Sequence, residues 1–249
     1  MNSEFKNLSV CIGKGGQKDM AEAFARKNGT PISDKPGEEL TLLFDSSGVS
    51  LTGFGLTFRG DFEQVLHRLT GGRLQHEMLV HITKTKKESP RAVDATAGMG
   101  EDSILLAAAG YDVTMYEQNA VIAALLKDAL RRAKKNPVLK DIVSRMRLIE
   151  GNSITLMKEL NFIPDVIYLD PMFPARQKTG LVNKKLQLIQ KLEQPCVEES
   201  ELLDAALEIK PEKVVIKRPL KGAFLAEKEP DYSVKGKAIR YDCIVCNKQ

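Results

Sequence analysis

The segment Asp170-Pro171-Met172-Phe173-Pro174 puts a carboxylate, a proline-restrained backbone and an aromatic ring within five residues, directly after the apolar run Val166-Ile-Tyr-Leu169. The prolines fix φ, so the carboxylate and the ring are presented in a set geometry. Asp170 and the Pro171 carbonyl then form two acceptors for the two N–H bonds of an exocyclic amino group. Phe173 would stack on a base turned out of its helix. Upstream, Asp94-Ala-Thr-Ala-Gly98-Met-Gly100 stands where a strand gives way to a helix. Glycines there let backbone approach a ligand, and the helix N-terminus offers unpaired N–H groups. Glu117 lies 19 residues after Gly98, close to the spacing at which an acidic side chain accepts from both hydroxyls of a ribose. Together these residues predict a nucleoside pocket.

The charges around the turn narrow the ligand. A dinucleotide fingerprint needs G-x-G-x-x-G/A with a pyrophosphate over the helix N-terminus; here Ser103 takes the third position, and Glu101 and Asp102 occupy that N-terminus. Two carboxylates repel a pyrophosphate and suit a cation. S-adenosylmethionine, with its sulfonium, its ammonium and no phosphate, is such a ligand. Asp94, Glu101 or Asp102 would receive its amino-acid end, and Asn152-Ser153 would border its adenine. The blander role of Glu101 and Asp102 is to complement the helix dipole, worth about 0.3 to 1 kcal/mol. Two other functions remain open on these residues: an NAD(P)-dependent oxidoreductase, which leaves Asp170 to Pro174 unexplained, and a noncatalytic RNA-binding protein on the same fold.

The elements that must position these residues alternate from Arg91 onward. Ala92–Ala95, Asp112–Tyr116, Arg147–Glu150, Val166–Leu169 and Val214–Ile216 read as strands. The helices between them span Asp102–Ala109, Asn119–Lys135, Ile154–Leu160 and Glu198–Ile209. Such alternation predicts a doubly wound parallel sheet of Rossmann-like α/β type, closed by an antiparallel hairpin over Ser233–Val245 with its turn at Lys235-Gly236. Residues 1–90 form a small α/β subdomain for which RNA docking is the expected role, and residues 91–249 the main domain. The first section holds a strand Leu8–Ile12, a helix Gln17–Lys27, a hairpin of Leu40–Phe44 with Val49–Phe54, and helices over Asp61–Leu69 and Leu74–Thr83. Gly13-Lys14-Gly15-Gly16 lacks the Lys-Ser or Lys-Thr of a phosphate loop and reads as a turn.

With 249 residues, 43% of them hydrophobic, the chain fills a core of one main domain and a smaller one. Its mean hydropathy of −0.23 and the absence of an apolar run near the ~18 residues of a membrane span predict a soluble protein. The N-terminus lacks a secretory pattern, and four cysteines without paired spacing suit a reducing compartment, so a cytoplasmic location is expected. Cys243-x-x-Cys246 has no second ligand pair, and His67, His76 and His81 do not make the i, i+4 spacing of a helical metal site, so no metal is expected. Net charge is uneven. Residues 1–93 carry 13 basic against 11 acidic groups, residues 94–170 carry 9 against 11, and residues 171–249 carry 15 against 11. Arg176, Lys178, Lys184, Lys185, Lys217 and Arg218 are candidates to hold RNA phosphates.

Asp94-Ala-Thr-Ala-Gly-Met-Gly100, Glu117 and Asp170-Pro-Met-Phe-Pro174 resemble the class I S-adenosylmethionine-dependent methyltransferases that act on amino nitrogens of bases. Tyr168-Leu-Asp-Pro-Met-Phe-Pro174 and Val215-Ile-Lys-Arg-Pro219 narrow the resemblance to the bacterial RsmJ family of 16S ribosomal RNA guanine-N2 methyltransferases, over residues from about 90 to 245. The resemblance implies S-adenosylmethionine as cofactor, with contacts at Glu101-Asp102, Glu117-Gln118, Asn152-Ser153 and Asp170. It also implies the N2 amino group of a guanosine as methyl acceptor, and 16S rRNA or the small ribosomal subunit as partner. Thr96 stands where the broader superfamily has a first glycine.

Overall fold

A computed structural model describes residues 7–172, 188, 192 and 198–246. By packing, the described chain divides into two compact units. One comprises residues up to 61 with 119–132 and part of 175–194; the other comprises 62–118, 133–174 and the C-terminal residues. Residues 62–90, grouped by the sequence with the N-terminal section, therefore belong with the second unit.

The first unit is a five-stranded mixed sheet. Strands β1 (Leu8–Ile12), β2 (Ile32–Ser33), β3 (Leu40–Asp45), β4 (Gly48–Gly53) and β5 (Leu56–Phe58) lie in the order β2-β1-β3-β4-β5. β1 runs parallel to both neighbours, with α1 (Lys18–Asn28) as a crossover, and β3 to β5 form an antiparallel meander. Gly13 to Gly16 is a turn packed against β3: a Cβ on Gly16 would sit 2.1 Å from the Phe44 carbonyl oxygen, which only glycine tolerates.

The second unit is a seven-stranded sheet. Its strands are β6 (Arg91–Asp94), β7 (Asp112–Glu117), β8 (Met146–Glu150), β9 (Val166–Leu169), β10 (Lys213–Pro219), β11 (Tyr232–Lys235) and β12 (Ile239–Val245), in the order β11-β12-β10-β9-β6-β7-β8. β6 to β10 are mutually parallel, and β12 enters antiparallel between β10 and β11. The chain starts at β6, winds outward to β8, then returns past β6 to β9, so the topological switch point falls between β6 and β9. All four residues of β9 are buried, as expected for a central strand covered on both faces. On one face Val93, Ile167, Leu169 and Ile216 pack with Leu202, Leu203 and Ala206 of the helix Glu199–Glu208 and with Met157 of the helix Ser153–Lys158.

The sequence reading placed most of these elements to within a few residues but did not foresee β2, β5 or the short helix Lys140–Val143. It differs over residues 61–83, where short 3-10 turns, Phe62–Val65 and Leu74–His76, precede four- and six-residue helices, Leu66–Leu69 and Met78–Thr83. Thr70-Gly71-Gly72 separates the two pairs, with both glycines at positive φ.

Candidate active site

Because β6 to β10 are parallel, their C-terminal ends share one edge of the sheet, where open α/β folds bind ligands. β6 delivers Asp94, 1% exposed. It is held by the Thr96 N–H at 3.0 Å on Oδ1 and by the Ser103 hydroxyl on Oδ2. Burial pushes its carboxyl up to about 7, against those two bonds, which favour the charged form. The following turn runs through Gly98 (φ +51°) and Gly100 (φ +75°) into the helix Glu101–Ala108, with Glu101 exposed in its first turn. Gly98 is required by its φ, and nothing lies within 4 Å of where its Cβ would be, which leaves an open cradle above the turn. Across it, Glu117 at the end of β7 accepts the Gly98 N–H at 2.9 Å on Oε2. Exposed Gln118 follows. The Gly151 N–H bonds the Glu117 carbonyl at 2.9 Å, which places Asn152-Ser153 beside it. There Asn152 caps the helix Ser153–Lys158 through its side-chain oxygen.

On the other side of the switch point, the Asp170 N–H donates to Thr96 Oγ1 at 2.6 Å. Thr96, standing where the superfamily pattern has glycine, thus laces the first turn to the Asp170 loop. Pro171 is buried and Met172 half-buried; Phe173, Arg176, Lys178, Lys184 and Lys185 lie outside the described residues.

Lys217 and Arg218 do not stand at the surface as two phosphate-binding cations. Successive side chains of a strand point to opposite faces, and each face of β10 engages its own partner. Arg218, 3% exposed, turns inward, donating to the Ala223 carbonyl at 2.8 Å and pairing with Glu199 at 3.2 Å. Lys217 Nζ lies 2.7 Å from Asp102 Oδ2 and 2.9 Å from Asp170 Oδ2. The register explains the second contact: Val215 pairs with Tyr168 and Ile216 with Leu169, so Lys217 falls next to Asp170. Burial lowers the Lys217 ammonium, but the charges of Asp102 and Asp170 outweigh it and hold the group above its ordinary value. Asp102 is occupied further by the Tyr168 hydroxyl at 2.6 Å, and the Tyr168 ring lies 6.4 Å from that of Tyr241. Burial raises the Asp170 carboxyl, and Lys217 opposes that rise.

Tyr168, Lys217 as a bridge, Ser103 and Thr96 are the site residues that sequence reasoning missed or misplaced. The one signal for them was position, since each lies within two residues of a strand end or opens a helix beside a residue already singled out. Among the described residues no group of three or more His, Cys, Asp or Glu is placed to hold a metal ion. No described helix is long and apolar enough to cross a membrane.

Comparison with known proteins agrees with this geometry. A family model described as "Putative SAM-dependent methyltransferase" matches residues 41–246. The ribosomal RNA small subunit methyltransferase J of Pseudomonas aeruginosa (strain LESB58) is 36% identical over 249 residues, covering 97% of this chain and 95% of that protein. The protein of the same name from Thioalkalivibrio sulfidiphilus is 35% identical over 248 residues, covering 96% and 97%. Among solved structures, a SAM-dependent methyltransferase from Neisseria gonorrhoeae aligns with a TM-score of 0.75 at 30% identity, covering 96% of each chain.

Proposed function

Since the chain belongs to the S-adenosylmethionine-dependent methyltransferase family, we propose that its substrate is 16S ribosomal RNA, alone or in the small subunit, and that it methylates the N2 amino group of a guanosine. The dehydrogenase alternative falls with that membership. Relatives matching at full length are named for methylation of small-subunit ribosomal RNA, which gives the substrate class. A ribosomal RNA substrate goes with a cytoplasmic location, where ribosomes are assembled.

The observation that carries the reading is the juxtaposition at the switch point: an open, carboxylate-lined cradle over Gly98 on one side, and Asp170 laced to the same turn on the other. The cradle fits the cofactor. Glu117, anchored to the turn through the Gly98 N–H, offers its carboxylate to the ribose, Asn152-Ser153 border the adenine end, and Glu101 presents negative charge to the amino-acid end while buried Asp94 holds the turn beneath through Thr96 and Ser103. S-adenosylmethionine supplies a methyl group on positively charged sulfur, already electrophilic.

The protein's task is therefore mainly positioning. The lone pair of a guanine amino nitrogen is delocalised into the ring, so the nitrogen attacks well only when turned and pyramidalised. Lys217 pairs with Asp170 through Oδ2. Oδ1 and the Pro171 carbonyl are thus two acceptors for the two N–H bonds. The aromatic side chain of Phe173 stacks on the base. Once the nitrogen is alkylated its proton is acidic and leaves to Asp170 Oδ1 or to water, so no strong base is needed beforehand. Lys217 opposes the burial-driven rise of the Asp170 carboxyl and so favours its accepting, ionised form.

The test is transfer of tritiated methyl from S-adenosylmethionine to 16S rRNA and to small subunits from a strain lacking this gene, followed by nucleoside mass spectrometry. N2-methylguanosine at a single site is expected. Cofactor binding without transfer to either substrate would overturn the substrate, and methylation elsewhere on the base would overturn the N2 position.

A further inference from the structure

Beyond Asp170 and Lys217, the carboxyl edge continues into two loops that meet. The one after β10 carries Lys221; the turn between β11 and β12 carries Lys235 and Lys237. All three side chains are exposed, and none has an ion-pair partner among the described residues. The loops are laced together: the Leu220 N–H donates to the Ala238 carbonyl at 3.0 Å, and the Gly236 N–H to the Ile239 carbonyl at 2.8 Å. Beneath them lies Arg240, 5% exposed, whose Nη1 donates to the carbonyls of Pro219, Leu220 and Gly222 at 3.0, 3.1 and 2.9 Å. Arg240 is itself neutralised by Asp242 at 2.8 Å and covered by the Phe224 ring at 5.0 Å. On the far side, Met78 packs close against Gly236. A buried cation thus spends its donors on holding the loop that presents Lys221, and the Leu220 N–H to Ala238 bond ties that loop to the segment with Lys235 and Lys237; a rim ordered before binding loses little entropy when a ligand arrives.

We infer that Lys221, Lys235 and Lys237 form a docking rim for the phosphate backbone of the RNA, at the β10 to β12 end of the edge that carries Asp170. The inference rests on the rRNA reading and adds the surface that grips the polyanion. Lysines on a held backbone at the same sheet edge as Asp170 give register without base readout, while Asp170 and its loop handle the base.

The test uses the full-length protein with Lys221→Gln, Lys235→Gln and Lys237→Gln combined, and a matched triple of Lys158→Gln, Lys210→Gln and Lys228→Gln. The matched lysines lie toward the opposite edge: Lys158 ends its helix, Lys210 precedes β10, and Lys228 is near Cys246. Affinity for a 16S rRNA fragment is followed by fluorescence anisotropy against salt, with cofactor affinity by calorimetry. The rim triple should bind RNA at least about tenfold more weakly at 0.1 M salt. The slope of log affinity against log salt should fall by about 2, since each phosphate left unneutralised on single-stranded RNA takes away about 0.7. Its melting temperature and cofactor affinity should not change, and the matched triple should be much less impaired. RNA binding unchanged in the rim triple, while the unaltered protein still methylates rRNA, would overturn the rim and leave the rRNA reading intact. Equal weakening in both triples would also overturn it, since the effect would then be general charge. An unaltered protein that binds cofactor but neither binds nor methylates RNA would overturn both.

Discussion

The two halves of the carboxyl edge are built alike and charged oppositely. At the β6 to β8 end each strand delivers a carboxylate, Asp94, Glu117 and Glu150, and the first turn adds Glu101. At the β10 to β12 end the strand and loops deliver Lys217, Lys221, Lys235 and Lys237. Between them Asp102, Asp170 and Lys217 form a three-charge bridge. Similar backbone geometry can thus serve a cationic cofactor at one end and a polyanion at the other, because ligand sign is set by side chains at strand ends and not by the fold. In the bridge one ammonium is shared by two carboxylates.

Four experiments sharpen or break that division. Asp170→Ala, at the boundary, should lower methyl transfer by at least about 100-fold, the scale of removing a positioned group from the reacting centre, while melting temperature stays near normal. Substantial activity in the purified variant would remove Asp170 from the site. Glu117→Ala should weaken cofactor binding by about 1 to 3 kcal/mol, from the missing charged hydrogen bonds and the unsatisfied Gly98 N–H, with RNA affinity unchanged; a calorimetric titration showing no change would separate Glu117 from the cradle. Lys217→Met removes the charge that opposes the burial-driven rise of Asp170, so Asp170 ionises only at higher pH. The acid limb of the kcat profile should move to higher pH, with kcat on that limb falling about tenfold for each unit of movement, a deficit that Lys217→Arg partly restores. A profile unmoved in the Met variant would make Lys217 merely structural.

The smallest effect concerns Asp94, held at about 7 by burial against an ordinary 3.8. Between those values the folded chain keeps a proton that the unfolded chain has released. Its contribution to the stability of the cofactor-free protein is therefore present below the lower value and declines as pH rises to the upper one. Asp94→Asn should flatten the fall in melting temperature across that window. Cofactor binding to the unaltered protein near pH 7 should release a fraction of a proton, visible as a heat that depends on buffer ionisation. An Asn variant with the same pH slope would show that Asp94 does not govern it.

Much of this arrangement was legible in the chain. The strand-helix alternation from Arg91, the glycine turn and Glu117 were readable because hydrophobic period and glycine placement are local properties. The Gly98 N–H to Glu117 bond joins two residues that the sequence had singled out. Lys217 and Arg218 were misread because two adjacent basic residues at a strand end look alike in sequence, whereas strand alternation sends them to opposite faces. Packing groups residues 62–90 with the second unit: those short helices carry little period of their own and are placed by what they pack on. Tyr111, for example, donates its hydroxyl to the Thr83 carbonyl.

The sequence by itself determined most of the elements, the glycine turn after β6 and the residue types at the strand ends. Those follow from steric and hydrogen-bonding rules acting over a few residues. Only the tertiary structure decided the strand order. That order set Lys217 beside Asp170, brought Thr96 under the Asp170 backbone, and joined Lys221 to Lys235 and Lys237 over Arg240. Pairings between residues tens of positions apart are chosen by burial and register of the whole sheet, which no local pattern encodes.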